Sequence, residues 1–514
     1  MTNNSRTSLS IKNAQIALFF YIINLILRFF SRKVFLDYLG TEILGLNTTA
    51  QNLLGFLNIA ELGIGAATAS ALYSPIYKNE YPIINEIVSI QGWLYKNIAL
   101  IVLFGAIIMM CFFPFIFDKT NLPLWYAFCS FSAFLYSSLL GYFVNYKQII
   151  FSADQKEYKN TINLQGWGFI KVLLQILAIQ NLSNGFIYWV IIEVLITTVA
   201  SITLNRSLHN CYPWLKTSIK KGKRSHKNYP DLVKKIKQIF FHKLAGFALT
   251  QTSPIIIYAY SSLTTVALYG NYIIITSGIT MLMQAILNSL NASVGNLVAE
   301  NNIEKIKSVF WDITIIRTFI AATICFTTYI CAGPFISIWI GERYILDNYS
   351  FIILLLNTFI LLTRTNDVFI AAYGMFQDIA APVIEAILNI GCSILFGYFW
   401  GLPGILFGVF ISQFAIVVCW KSFFLFRYGF KQNIIEYIKF YVKHISLLFI
   451  SCIISIKLIS LMPYPNKNIL DLIYFTILVS LCYIIISIIL LAIFDLKARK
   501  VIHKLFSILN NIIK

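Results

Sequence analysis

The stretch LDLIYFTILVSLCYIIISIILLAIF, residues 470–494, carries a single charged side chain, Asp471. A bilayer's hydrocarbon core is about 30 Å thick, and an α-helix needs about 20 apolar residues to cross it. This segment is long enough to span and too uniformly apolar for a helix of a water-soluble domain. Working outward, thirteen further stretches of the same character fill the chain, among them 14–36, 42–74, 264–298, 349–376 and 441–461. The polar breaks between them leave no room for a separate soluble domain. The predicted fold class is an all-α membrane protein of about 14 transmembrane helices, since only helices or closed barrels satisfy their backbone polar groups in lipid.

Composition agrees. Of 514 residues, 58% are hydrophobic and 12% charged, with a mean hydropathy of +0.75. The net charge of +19 raises nucleic acid as a partner, so the location of the cations decides. With the N-terminus cytoplasmic and span-end residues assigned to the adjoining segment, 28 of the 40 Lys and Arg fall in cytoplasmic segments, five outside and seven within spans. That bias predicts a multi-pass inner-membrane protein with both termini cytoplasmic. Ten cations occupy the longest loop, from Arg206 through Lys220, Lys221, Lys223 and Arg224 to Lys237. It reads as a topogenic loop near anionic membrane lipid. No reader motif or aromatic platform accompanies it, which excludes nucleic acid as a partner. The first apolar run carries Arg28 and Arg32 and lacks a small-residue cleavage site, so it is a retained helix.

The basic loop leaves six spans before it and eight after it. This predicts two pseudo-symmetric six-helix lobes plus two C-terminal helices: an N-terminal lobe 1–207, the loop 208–237, a C-terminal lobe 238–428, two appended spans in 429–494 and an amphipathic cytoplasmic tail 495–514. In the tail, Val501, Ile502, Leu505, Leu509 and Ile512 share one face. An internal echo supports the repeat: Thr41–Leu46 resembles Thr264–Tyr269 at an offset of 223 residues. The same offset maps Glu61 to Gln284, Gly65 to Asn288 and Thr68 to Asn291. Parallel repeats of this kind build many transporters.

Polar side chains facing lipid are costly, so their positions map an interior. Asn24, Arg28 and Arg32 form one cationic stripe at four-residue spacing. In the second span Asn47, Gln51, Asn58, Glu61, Gly65 and Thr68 recur at spacings of three, four or seven, which places them on one face of a continuous helix. Ser277, Gln284, Asn288 and Asn291 do likewise in the eighth. In the tenth, Asn357, Arg364 and Asp367 share a face, and the last two are spaced to pair. The candidate substrate-binding residues are therefore Arg28, Arg32, Asn58, Glu61, Gln284, Asn288, Arg364 and Asp367. Lys243 and Arg317 read as snorkelling toward the membrane surface, and Glu193 and Glu385 as helix-packing residues. No Walker loop, H-E-x-x-H pattern or nucleophile elbow occurs, and the nine cysteines lack metal-type spacing. The chain reads as a non-enzyme without metal or cofactor.

The segment Phe56–Ile76, FLNIAELGIGAATASALYSPI, preceded by LGTEILGLN at Leu39–Asn47, resembles the bacterial O-antigen and capsule repeat-unit flippases. These form the polysaccharide-transporter branch of the multidrug/oligosaccharidyl-lipid/polysaccharide exporter superfamily. The resemblance implies two six-helix lobes around a cavity lined by the first, second, seventh and eighth helices. It also implies export of an undecaprenyl-pyrophosphate-linked oligosaccharide, with a polysaccharide polymerase and a chain-length regulator as partners. Arginines match phosphate oxygens in a fork geometry. One departure stands out: related lipid-precursor flippases cluster arginines in the cavity, whereas the repeat partner of Arg28 here is Gln251. A multidrug or cation antiporter of the same fold is the alternative, kept open by Glu61. A membrane glycosyltransferase, polymerase or acyltransferase is disfavoured by the short external loops.

Overall fold

Over its described residues, each of the fourteen stretches is mainly helical in the computed structural model, and no strand occurs among the described residues. The structure describes residues 6–61, 63–118, 120–288, 294, 297, 298, 302–375, 378, 380–463, 465 and 468–513; the side chains of 6–8, 10, 11, 14, 60, 235, 237, 238, 241–251, 284–288 and 505–513 lie outside that description. Backbone contacts gather the chain into two compact units, Met1–Gly270 and Asn271–Lys514.

The first unit opens with α1 (Arg6–Tyr38), α2 (Thr41–Leu57), α3 (Ile64–Tyr77) and α4 (Tyr81–Cys111). It continues through α5 (Trp125–Phe143), α6 (Glu157–Asn181), α7 (Gly185–Cys211), a short α8 (Ile219–Ser225) and α9 (Pro230–Tyr260). Helix α10 (Leu263–Asn288) begins here, one residue before the start expected from the 223-residue offset to α2. The second unit holds α11 (Ile303–Trp339), α12 (Asn348–Leu362), α13 (Thr365–Ala372), α14 (Ala380–Trp400) and α15 (Leu402–Gln413), followed by α16 (Ile435–Ile459), α17 (Ile469–Phe494) and α18 (Leu496–Ile513).

Among the described residues, ten helical segments are long and apolar enough to cross a membrane. The pair Trp125–Phe143 and Asn145–Ala153, bent by 60°, makes eleven. The other three stretches are α1 and α9, which contain undescribed side chains, and the second, which is split. The chain is a multi-pass membrane protein, and α17 shows why: its mean hydropathy is 3.1, yet only 22% of its apolar window is buried inside the protein. Leucine and isoleucine exposed on that scale need lipid, not water.

Besides that bent pair, two more spans differ from the continuous rods expected of them. The second breaks between α2 and α3, where Asn58–Glu61 forms a single 3-10 turn and Gly63 sits at φ 98. A side chain at Gly63 would meet the backbone of Phe240 and Ile236 on α9, so glycine serves both the left-handed turn and the close approach. The tenth breaks between α12 and α13 at Thr363 and Arg364. Both breaks sit among packed helices, where partners can satisfy the freed backbone groups.

Packing elsewhere follows residue size. On α15, Gly404 and Gly408 lie four apart, and a Cβ on either would run into the α14 backbone at Phe396 or Ser393. This is close helix approach through small residues. In the second unit Phe310 packs edge-to-face on Trp311, Phe426 and Phe430, and Tyr437 lies tilted against Phe426, forming an aromatic core.

The basic loop is folded onto α4. Lys221 pairs with Glu86 at 3.3 Å, and Tyr229 donates to Glu86 at 2.9 Å. Burial, then the Glu86 carboxylate, pushes the Tyr229 phenol up to about 12. His226 stacks on Trp93 at 4.7 Å.

Candidate functional site

The break in the tenth span gathers the densest set of charges in the second unit. Helix α12 cannot continue past Leu362, because the Thr365 amide turns back to the Thr363 carbonyl at 2.7 Å. Carbonyls at such an end lose their intrahelical donors. Arg317 on α11 supplies replacements, donating Nε to the Leu362 carbonyl at 3.2 Å and Nη1 to the Arg364 carbonyl at 3.3 Å. The sequence reading sends Arg317 to the membrane surface. The structure instead leaves it 7% exposed, because two freed carbonyls hold it inside.

Arg364 projects from this turn. Its Nη2 lies 3.5 Å from Glu385 Oε1, and its Nη1 lies 3.8 Å from Asp367 Oδ2. Lys421 Nζ is 2.8 Å from Asp367 Oδ1. Three cations therefore face two carboxylates, leaving a net positive group inside a membrane span. The Glu385 side chain is 3% exposed, while Arg364 and Asp367 remain 22% and 32% exposed, so the cluster is closed on the α14 side and reachable on the other. Asn366 extends it, donating Nδ2 to Ser422 Oγ at 2.8 Å. Arg364 and Asp367 were legible as a pair. Arg317, Glu385 and Lys421 were missed as members, since they come from three other segments and only folding brings them together.

In the first unit the polar residues disperse. Asn24 donates Nδ2 to Gln165 Oε1 at 2.8 Å, tying α1 to α6. Arg28 is exposed and makes no ion pair among the described residues. Arg32 donates Nη2 to the Ala267 carbonyl at 2.7 Å. The second-span residues do not share one face, because the break turns the chain between them. Asn47 Oδ1 accepts from Ser130, and Asn58 Oδ1 accepts from Ser138 Oγ at 3.0 Å and Tyr142 Oη at 2.9 Å, all from α5. Glu61 Oε1 accepts from Tyr95 Oη of α4 at 2.9 Å. Gln284 and Asn288 end α10, and their side chains lie outside the described residues. Glu193 is held by Lys171 Nζ at 2.6 Å and Gln175 Nε2 at 3.0 Å, joining α6 to α7.

Solved structures share this architecture. Lipid II flippase MurJ in its inward closed conformation is matched with a TM-score of 0.65 at 16% identity, over 94% of this chain and 98% of that one. An inward-facing multidrug resistance MATE family transporter of the MOP superfamily gives 0.56 at 14% identity over 81% and 98%. Its outward-facing counterpart gives 0.52 at 12% identity over 82% and 96%. The chain shares the fold of these proteins. No family model matches the sequence, and no curated protein matches it either.

Proposed function

We propose that this chain is a flippase. It carries an undecaprenyl-pyrophosphate-linked oligosaccharide repeat unit across the bacterial inner membrane by alternating access, for O-antigen, capsule or exopolysaccharide synthesis. It acts as a carrier rather than an enzyme, with both termini cytoplasmic and with a polymerase and a chain-length regulator as functional partners. The observation that carries the reading is the extent of the likeness to the lipid II flippase, 94% of this chain against 81% for the inward-facing MATE transporter. The additional coverage is long enough for two further spans, as in α16 and α17. The charge of the polar groups supports it: Arg28 is exposed and makes no ion pair among the described residues, and the Arg364 cluster is net positive, which suits a pyrophosphate. The residues proposed for phosphate are Arg28, Arg32 and Arg364, and those proposed for the glycan or for holding the cations are Asn58, Glu61, Gln284, Asn288 and Asp367.

The test is surface glycan display in cells carrying Arg28→Ala or Arg364→Gln, with the membrane level of each variant measured in parallel. Display should fall by about tenfold or more for each, the worth of one lost charge-assisted contact, while membrane levels hold. Normal display in both variants would remove the cations from the site. The second reading is a multidrug or cation antiporter, favoured by the Glu61 carboxylate at the second-span break; proton-coupled efflux of a lipophilic cation by the purified chain would establish it.

A further inference from the structure

The span Leu402–Gly429 ends in a polar hollow that none of the contacts above uses. After α15 it turns π-helical over Phe414–Trp420 and again over Leu425–Gly429. Such insertions re-aim the side chains beyond them and recur at functional sites. The chain leaves the span through Lys431 at φ 53, a left-handed conformation that glycine and asparagine usually occupy. A bulky residue held there points to a local demand on its side chain. The outcome is a cavity of about 540 Å³ lined by Phe423, Arg427, Lys431, Gln432, Asn433 and Ile434.

The lining is cationic and uncommitted. Among the described residues the side chains of Arg427, Lys431 and Gln432 have no hydrogen bond or ion pair, and no carboxylate lines the hollow. Asn433 uses its Oδ1 to accept from the Ile435 amide at 3.0 Å, and its Nδ2 has no acceptor among the described residues. Acidic side chains on adjoining segments are engaged elsewhere: Asp378 accepts from Trp420 Nε1 at 2.6 Å, and Glu436 pairs with Lys497 at 2.8 Å. Trp420, Phe423 and Tyr428 are exposed beside it. Aromatic residues at a span end mark the headgroup level of a bilayer.

We propose that this hollow binds the phosphate of an anionic phospholipid, with Arg427 and Lys431 on the phosphate oxygens and Gln432 and Asn433 on the glycerol and ester oxygens. A forked guanidinium beside an ammonium suits a phosphodiester, and basic pockets at span ends are suited to lipid headgroups. A free phosphate would engage the same cations. The lipid is assigned because the hollow lies at the end of a membrane span, with Phe423 in its wall and Trp420 and Tyr428 exposed on the same stretch of chain. The proposal stands whatever the chain transports.

The experiment is native mass spectrometry of the full-length protein released from phosphatidylethanolamine bilayers with and without phosphatidylglycerol. The wild type should retain phosphatidylglycerol, and Arg427→Gln and Lys431→Gln should each weaken retention about fivefold, the worth of one basic side chain at a charged membrane surface. Lys431→Gly removes the charge but relieves the backbone, so it should lose the lipid while keeping its melting temperature, which separates binding from misfolding. Unchanged retention in the Arg427→Gln/Lys431→Gln double variant would overturn the site. Equal loss in Lys220→Gln/Lys223→Gln, on the basic loop of the first unit, would reduce it to a general charge effect and overturn it too. Displacement of the lipid by inorganic phosphate alone would overturn the lipid assignment in favour of a free anion.

Discussion

Arg317 shows how one side chain makes an irregular backbone tolerable in a membrane. Its guanidinium satisfies two carbonyls that the break in the tenth span strips of their donors, and those carbonyls hold Arg364 where three charged neighbours meet. Leaving a buried carbonyl unpaired costs about 1–3 kcal/mol. Arg317→Met should therefore destabilise the protein by about 2–4 kcal/mol on that basis, read as a lowered midpoint of thermal unfolding in detergent. Arg317→Lys should recover part of the loss, because an ammonium can reach one carbonyl but lacks the fork. The α14–α15 contact supplies a second residue-scale test. Gly408→Ala places a methyl against the Ser393 backbone, and overpacking of this kind costs about 1–3 kcal/mol. Gly391→Ala on α14 meets nothing within 4 Å and should leave the midpoint unchanged or slightly raised. Equal effects at the two glycines would mean the helices do not approach through α15's small face.

Among whole elements, α18 is the one whose docking is most fully specified by polar groups. Asp495 caps it, accepting from the Lys497 and Ala498 amides at 3.0 and 3.1 Å. Its other oxygen lies 3.0 Å from His444 Nδ1 on α16, and the far side of that ring lies 3.0 Å from Thr318 Oγ1 on α11. Lys497 pairs with Glu436 and sits 3.8 Å above the Trp311 ring, while Lys504 pairs with Asp312 at 2.9 Å. Burial pushes the Asp495 carboxyl up, but the bonds from His444, Ala498 and Lys497 outweigh it and hold the group below its usual range. A carboxylate depressed in this way contributes stability that is fully present above its unfolded value, about 3.9, and is lost as pH falls through the lower folded value. Measured against the intrinsic rate at each pH, amide exchange across α18 should thus stay slow as buffer is taken from pH 7 toward 4 and quicken only below that. Asp495→Ala should bring the quickening to neutral pH, about tenfold for the loss of a cap. Exchange in α18 that is already fast in the wild type at pH 7 would refute the docking. Sequence periodicity revealed this helix but not its clasp, since His444 lies 51 residues from Asp495 and Thr318 lies 126 from His444.

Across the whole molecule, what was readable from sequence is what depends on neighbouring residues. Twenty apolar residues in a row make a span wherever they fall, and the bias of Lys and Arg between alternate breaks is a sum over short segments. The span breaks were not readable, because polar residues at helical spacing look the same whether the helix runs on or turns; the partners that permit the turns, Arg317 and the Tyr95 beside Glu61, come from other helices. The candidate site divides the same way, with the Arg364–Asp367 pair within reach of a local rule and Glu385 and Lys421 beyond it. The local part makes a global commitment that can be checked. Fourteen spans are an even number, so both ends and the loop 208–237 must share one side of the membrane, with the turn at 341–347 on the other. Green fluorescent protein fused after Lys514 should fluoresce, and alkaline phosphatase fused there or within 208–237 should be inactive. The same phosphatase fused near Leu346, between α11 and α12, should be active. With the N-terminus in the cytoplasm, an active phosphatase at the C-terminus would mean an odd number of crossings. One of the three stretches outside the count of eleven, α1, the split second span or α9, would then lie along the membrane instead of through it.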